Sequence, residues 1–226
     1  MSLSIVIPVR QEAEGLADCL QALQSLRQAG VEIIVVDGES HDHSAAIARN
    51  WGAKVIVTAP GRSKQMNAGA SVACGEIILF LHADTRLPPS AVILSLPTRL
   101  EAKKAHWGFF AVTISGRSWM LPVVAQMISW RSRLSKVATG DQALFVRRSL
   151  FNALGAFPDL PLMEDVAFSK SLRRHSAPLV ISEPVCTSGR RWEKYGIWQT
   201  IFLMWRLRYS FWRGVSAEKL AKFYHY

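Results

Sequence analysis

Apolar and polar positions alternate in regular blocks over the first 85 residues. "LSIVI" (3–7), "EIIVV" (32–36), "KVIV" (54–57) and "EIILFL" (76–81) are short, nearly continuous apolar runs rich in β-branched residues. Strands covered on both faces by crossover helices have this pattern. Between the first two runs, "GLADCLQALQSLRQAG" sets Leu16, Cys19, Leu20, Leu23 and Leu26 at helical spacing, with Gly30 as a stop signal. "SAAIARNWG" and "SKQMNAGASVACG" add two short helical patterns, each closed by a glycine. This alternation predicts an α/β fold with a doubly wound, mostly parallel central sheet.

The pattern loosens after Pro88-Pro89. A helix is predicted over 89–103, interrupted near Pro97. "WGFFAVTIS" (107–115), "ALFVRR" (143–148) and "LVIS" (179–182) read as strands of a mixed sheet. An aromatic-rich helix falls between the first two of these, and another starts near Glu164. "IWQTIFLMWRLRYSFW" (197–212) is apolar at 11 of 16 positions, with Gln199, Arg206, Ser210 and Arg213 on a narrow polar stripe. No linker or repeat interrupts the chain. One domain over 1–226 is expected, with a nucleotide-binding-like half (1–87) and a half of different character (88–226).

Composition narrows the class. Half of the 226 residues are apolar and 19% are charged, which excludes a disordered or fibrous chain. The net charge of +10 favours anionic partners: nucleic acid, diphosphates or a membrane surface. The basic residues are dispersed and no nucleic-acid-binding motif is present, so nucleic acid is not the expected partner. Cys19, Cys74 and Cys186 form no C-x-x-C pair, which fits a reducing, cytoplasmic setting. "MSLSIVIPV" reads as a first strand rather than a leader. The longest apolar stretches, 119–130 and 197–205, fall short of the roughly 20 residues needed to span a bilayer. The 197–212 helix is expected to pack on its own domain or in a homodimer. Its Trp and Arg content makes peripheral contact with the inner membrane face the rival expectation.

Ligands of a parallel sheet bind at the carboxyl ends of its strands. Past the first predicted strand come Pro8, Arg10 and Glu12, and past the second Asp37, Gly38, Glu39 and Ser40. The third is followed by "APGRSKQMNAG", with Arg62, Lys64 and Asn67, and the fourth by His82 and Asp84. Carboxylates mixed with basic groups along one edge suit a metal-bridged diphosphate. Neither G-x-G-x-x-G nor a P-loop is present, which argues against dinucleotide and P-loop sites. In the second half, "LPLMEDVAF" sets Glu164 beside Asp165, either as first-turn helix caps or as a general base tuned by its neighbour. Asp141 and Gln142 could orient a hydroxyl-rich acceptor, and Arg190, Arg191 and Trp192 suit anion clamping and stacking.

Assembled in order, "SIVIPVRQE", "VVDGES", "GRSKQMNAG", "LFLHADT" and "MEDVAF" resemble the motifs of family 2 glycosyltransferases with the GT-A fold. The resemblance covers nearly the whole chain. It is greatest to the small bacterial members with an LHADT motif, known as radical-SAM- or selenodomain-associated. It implies a GT-A α/β/α sandwich with a helical, aromatic-rich C-terminal region. It also implies an inverting, metal-dependent transfer from a nucleotide-diphosphate sugar, UDP-sugar favoured, to a hydroxyl acceptor, lipid-linked or at a membrane. Pro8, Glu12, Asp37, Arg62, Asn67 and Asp84 would then bind the nucleotide sugar, with Asp37 facing the base. Asp165 would be the catalytic base with Glu164 beside it. Asp141, Gln142, Arg191 and Trp192 would meet the acceptor. Asp84 would hold a divalent metal, Mn²⁺ or Mg²⁺. The sequence departs from the family's D-x-D at its first position, where His82 is expected as a weak ligand or a partner of one; an imidazole suits Mn²⁺ better than Mg²⁺.

Overall fold

The computed structural model describes residues 2–224. Its centre is an eight-stranded sheet built from β1 (Leu3–Val9), β2 (Glu32–Asp37), β3 (Lys54–Val57), β4 (Ile77–Phe80), β5 (Thr85–Arg86), β6 (Trp107–Ser115), β7 (Phe145–Arg147) and β8 (Leu179–Ser188). The strand order is β3-β2-β1-β4-β7-β6-β8-β5. The first four strands run parallel, as does the β6–β8 pair, whereas β7 and β5 run antiparallel to their neighbours. The sheet is therefore mostly parallel, with the mixed part confined to the second half of the chain.

Apolar alternation within strands fixes the layers. Ile5 and Ile7 of β1 join one core with Leu16, Leu20, Leu79 and Phe110, while Val6 faces a second core with Ile34, Ile78 and Phe80. Each fully buried Ile or Leu contributes about 2 kcal/mol. The first core is covered by α1 (Ala13–Ala22), α2 (Gln24–Gln28), α3 (Ser44–Asn50), α5 (Ser90–Leu94) and α6 (Leu96–Ala102). The second is covered by α4 (Arg62–Ser71), α8 (Arg148–Ala153) and α9 (Glu164–His175), which bring in Met66, Phe151 and Phe168. The result is the expected three-layer sandwich.

Several boundaries differ from the sequence expectation. The first helix breaks at Leu23 into α1 and α2. The 89–103 helix breaks at Ser95, with Pro97 in the first turn of α6, where its missing N–H costs nothing. β8 continues past 182 to Ser188 because Pro184 is accommodated beside a register shift opposite Phe110 and Val112. "SGRRWEKYG" contains a helix, α10 (Arg190–Tyr195).

The aromatic-rich segments form α7 (Met120–Ser135) and α11 (Ile197–Trp212), followed by α12 (Ala217–Tyr224). Ile197 and Ile201 pack on the α7 cluster of Leu121, Val124 and Ala125. On another side of α11, Leu207 packs with Val137, Met163, Val166 and Leu220. Packing on the domain thus accounts for only part of α11. Trp198, Phe202, Trp205, Tyr209 and Trp212 remain 59–69% exposed, in heptad spacing. Trp119, just before α7, and Val123, Met127, Trp130 and Leu134 within it are likewise turned outward. Among the described residues no helix is long and apolar enough to cross a membrane.

Candidate active site

Pairing register brings the strand ends together. Val9 lies opposite Asp37, Asp37 opposite Val57, and Val6 opposite Phe80, so all four expected clusters follow strands that end at one edge. A cleft of about 820 Å³ opens there. Pro8, Glu12, Arg62, His82 and Asp84 line it from the first half of the chain. Asp141, Glu164, Asp165, Arg191 and Trp192 line it from the second.

The edge is braced by Gln65, whose buried Nε2 donates to the carbonyls of Val9 and Val36, each at 2.8 Å. One amide thus ties the ends of β1 and β2 to α4. Gly61 precedes that helix at φ +142°, a backbone conformation that side chains disfavour, and it brings Arg62 to the cleft. Nη1 of Arg62 sits 3.9 Å from the Glu164 carboxylate; the arginine is half exposed and the glutamate buried. Burial, and then the charge of Asp165, push the Glu164 carboxyl above the usual carboxylate range, against the pull of Arg62. Glu12 is also raised, first by burial and then by the charge of Asp84, partly offset by Arg190, whose Nη2 is 4.0 Å away.

Met163, at φ +67°, turns the chain sharply into α9. Asp165 in the first turn then accepts the N–H of Gly140 at 2.6 Å through Oδ2 and the N–H of Val166 at 2.6 Å through Oδ1. Gly140 belongs to a 3₁₀ turn over 140–142, and its missing Cβ matters. A methyl there would lie 2.4 Å from His82 Cε1 and 2.7 Å from Nε2. The Nε2 edge of His82 therefore packs on Gly140, while Nδ1 faces Asp141 Oδ1 at 3.5 Å. Burial works against the charge on Asp141, but the hydrogen bond and charge of His82, with Arg62 and Arg131, outweigh it and hold this carboxyl low.

His82, expected as a weak metal ligand or a partner of one, has Nδ1 turned to Asp141 and Nε2 beside Gly140, a geometry that supports the partner role. Asp37, Asn67 and Gln142 stand apart from the cleft lining. Asn67 donates to the Phe157 carbonyl and accepts its N–H, clamping α4 to the 157 loop. Gln142 is fully buried, accepting from Ser132 and Thr139 and donating to the Phe110 carbonyl. Both amides are used up structurally. Asp37 is 3% exposed: Oδ2 accepts the Ser40 N–H and Oδ1 has no partner.

No group of three or more His, Cys, Asp or Glu suited to a metal occurs among the described residues. Asp84 is exposed on the cleft, and its charge acts on Glu12. One carboxylate with a second nearby suits an ion that a nucleotide diphosphate brings with it, completed by phosphate oxygens and water.

The C-terminal helices supply lining residues absent from the sequence expectation: Thr200, Met204 and Arg208 from α11 and Tyr224 from α12. Arg191 stacks on the Tyr224 ring at 3.7 Å and donates to its carbonyl, while Trp192 packs against the α7 cluster. No motif marks these positions; only the polar interruption at Arg208 in an apolar run signals them.

Comparisons with known proteins agree with this geometry. Residues 4–151 match the profile of Glycosyl transferase family 2. The 4,4'-diaponeurosporenoate glycosyltransferase of Staphylococcus haemolyticus is 40% identical over 96 residues, covering 38% of this chain and 25% of that protein. The undecaprenyl-phosphate 4-deoxy-4-formamido-L-arabinose transferase of Sodalis glossinidius is 28% identical over 222 residues, covering 91% and 66%. The chain spans between a quarter and about two thirds of the length of such curated relatives. Among solved structures, glucosyl-3-phosphoglycerate synthase from Mycobacterium tuberculosis, in complex with Mn²⁺, UDP and glucosyl-3-phosphoglycerate, superposes with a TM-score of 0.61 at 18% identity, covering 81% of this chain and 70% of that one. With the matched segment running from β1 into α8 and the cleft at its strand ends, the chain belongs to glycosyl transferase family 2 and has the GT-A glycosyltransferase fold.

Proposed function

We propose that the protein is an inverting glycosyltransferase that moves a sugar from a nucleotide-diphosphate sugar, UDP-sugar favoured, to a hydroxyl acceptor. The carrying observation is Asp165, which lines the same cleft as Asp84 and Arg62 and is aimed by two backbone N–H groups. Each carboxylate oxygen retains a lone pair after accepting one such bond. The acceptor hydroxyl attacks the anomeric carbon, its proton passes to Asp165, and the carbon–oxygen bond to the diphosphate breaks. One displacement inverts the anomeric configuration. Arg62 and Arg190 meet the charge that grows on the leaving diphosphate.

Asp84, with Glu12 nearby, would hold the divalent metal, Mn²⁺ or Mg²⁺. When bound, it would supply Lewis-acid stabilisation of the leaving group. The Mn²⁺ and UDP in the mycobacterial synthase support this donor chemistry. Pro8 and Asp37 would flank the nucleoside, with the unpartnered Oδ1 of Asp37 as the acceptor for a base N–H. His82 and Asp141 act as a linked pair that holds the 140 turn under Asp165. Arg191 and Trp192 would border the acceptor.

The outward aromatic rows of α7 and α11, flanked by Arg133, Arg206 and Arg213, favour peripheral seating on an anionic membrane. The undecaprenyl-phosphate relative supports an acceptor found there. Replacement of Asp165 by Asn tests the chemistry. Transfer should fall by on the order of 100-fold or more with nucleotide binding retained. Near-normal turnover would remove Asp165 from the role.

A further inference from the structure

Helix α10 follows directly on β8, and its six residues divide unequally between two duties. Arg190, Arg191, Trp192, Lys194 and Tyr195 line the cleft, and none of them is buried. Glu193 does not line it. Its Oε1 instead accepts the backbone N–H of Arg117 at 2.6 Å, a bond that spans 76 positions of the sequence.

The backbone around this bond is shaped to permit it. β6 and β8 end side by side, with Ser115 opposite Ser188. The residue after each strand is a glycine. A methyl on Gly189 would lie 2.1 Å from the Ser115 carbonyl oxygen, so α10 can start this close to β6 only from a glycine. Gly116 turns at φ +151°, and a methyl there would lie 2.8 Å from Glu193 Oε1 and 2.5 Å from Leu121 Cδ1. Both strand ends thus leave room for Glu193 to reach the turn after β6.

The other ties of α10 differ in kind. Arg190 faces Glu12 at 4.0 Å, and Arg191 stacks on Tyr224 and donates to its carbonyl. Both arginines line the cleft, where an entering anion competes for the same guanidinium donors. Trp192 packs with the Leu121 cluster, an apolar contact that fixes no direction. Glu193 bonds a backbone N–H away from the lining, so a ligand leaves that bond in place. A carboxylate accepting a backbone N–H is both directional and charge-assisted.

We propose that Glu193 is a positioning residue: it latches α10 to the turn after β6 and so aims Arg190 at the donor diphosphate. The inference rests on the donor reading above, in which Arg190 meets the diphosphate, and adds the residue that sets where Arg190 stands.

Two measurements on the full chain test it. Hydrogen exchange without ligand reads the latch by itself. Glu193→Ala should speed exchange of the α10 amides about fivefold, the effect of one lost hydrogen bond, while β1 and β4 keep wild-type protection. Glu193→Gln keeps an oxygen for the Arg117 N–H and should restore most of that protection. Calorimetry in Mn²⁺ then reads the aim. Glu193→Ala should bind UDP about fivefold more weakly, yet bind uridine, measured by competition, as wild type does, because Arg190 meets only the diphosphate. Added to Arg190→Ala, it should cost no further UDP affinity. Unchanged α10 exchange in Glu193→Ala would overturn the latch. Unchanged UDP affinity, a parallel loss of uridine, or an additive loss in the double variant would overturn the positioning role. If wild type takes no UDP, the donor reading fails separately, and the exchange measurement still decides whether Glu193 holds α10 at the cleft.

Discussion

His82 Nδ1 lies 3.5 Å from Asp141 Oδ1, and the opposite edge of the ring rests on Gly140, whose N–H is bound by Asp165. A residue at the end of β4 thereby positions the turn that holds the carboxylate proposed as the base. On the proposed reading His82 supports Asp165 rather than the metal.

Replacement of His82 and Asp84 should separate those duties. Asp84→Asn is expected to weaken nucleotide binding in Mn²⁺ by on the order of 10- to 100-fold. His82→Asn should leave that affinity nearly unchanged while lowering turnover. Calorimetry with UDP checks both, and an equal loss of affinity in the two variants would return His82 to the metal.

Gly140→Ala should destabilise the fold by about 1–3 kcal/mol, since the new methyl meets the His82 ring inside contact distance. Urea denaturation measures it. A companion His82→Ala change should recover most of the loss, because it removes the atoms that clash.

Glu164 links stability to pH. Its carboxyl holds a proton more tightly in the folded chain than in the unfolded one, because burial and then Asp165 oppose ionisation. Such a group supports folding fully below its usual value of 4.5 and withdraws that support as pH rises through its raised folded value. Loss of the 3.9 Å contact with half-exposed Arg62 matters little by comparison. Glu164→Gln should thus melt near wild type at about pH 4 and increasingly above it toward about pH 7.5. A gap that closes with rising pH contradicts the assignment.

The outward rows of α7 and α11 predict co-sedimentation with phosphatidylglycerol vesicles at low salt, weakened by added salt. Trp130→Asp combined with Trp205→Asp should reduce the bound fraction about tenfold or more, given the area each indole would bury. Wild type that stays in the supernatant would exclude this surface as a membrane seat.

The parallel half of the fold was legible because its strands are apolar on both faces, and a period-two or continuous run has few other meanings. The shared strand-end edge followed from that topology, and Glu12, Arg62, Asp84 and Asp165 do line one cleft. Asn67 and Gln142 lie off the cleft lining, and the sequence could not show it, for a common reason. An amide looks the same in sequence whether it faces a ligand or clamps backbone groups 90 or 32 residues away, as these two do with Phe157 and Phe110. His82 stays open between weak ligand and supporting partner in the sequence because Asp141, the carboxylate it faces, lies 59 positions further on.

The central claim is that the strand-end cleft takes a nucleotide-diphosphate sugar. A thermal-shift panel of UDP, GDP, CDP and TDP sugars, each with and without Mn²⁺, tests it most directly. One nucleotide should raise Tm in a Mn²⁺-dependent manner, UDP being favoured, and Asp84→Asn should erase the metal dependence. No shift with any nucleotide sugar, with the metal present, would contradict the account.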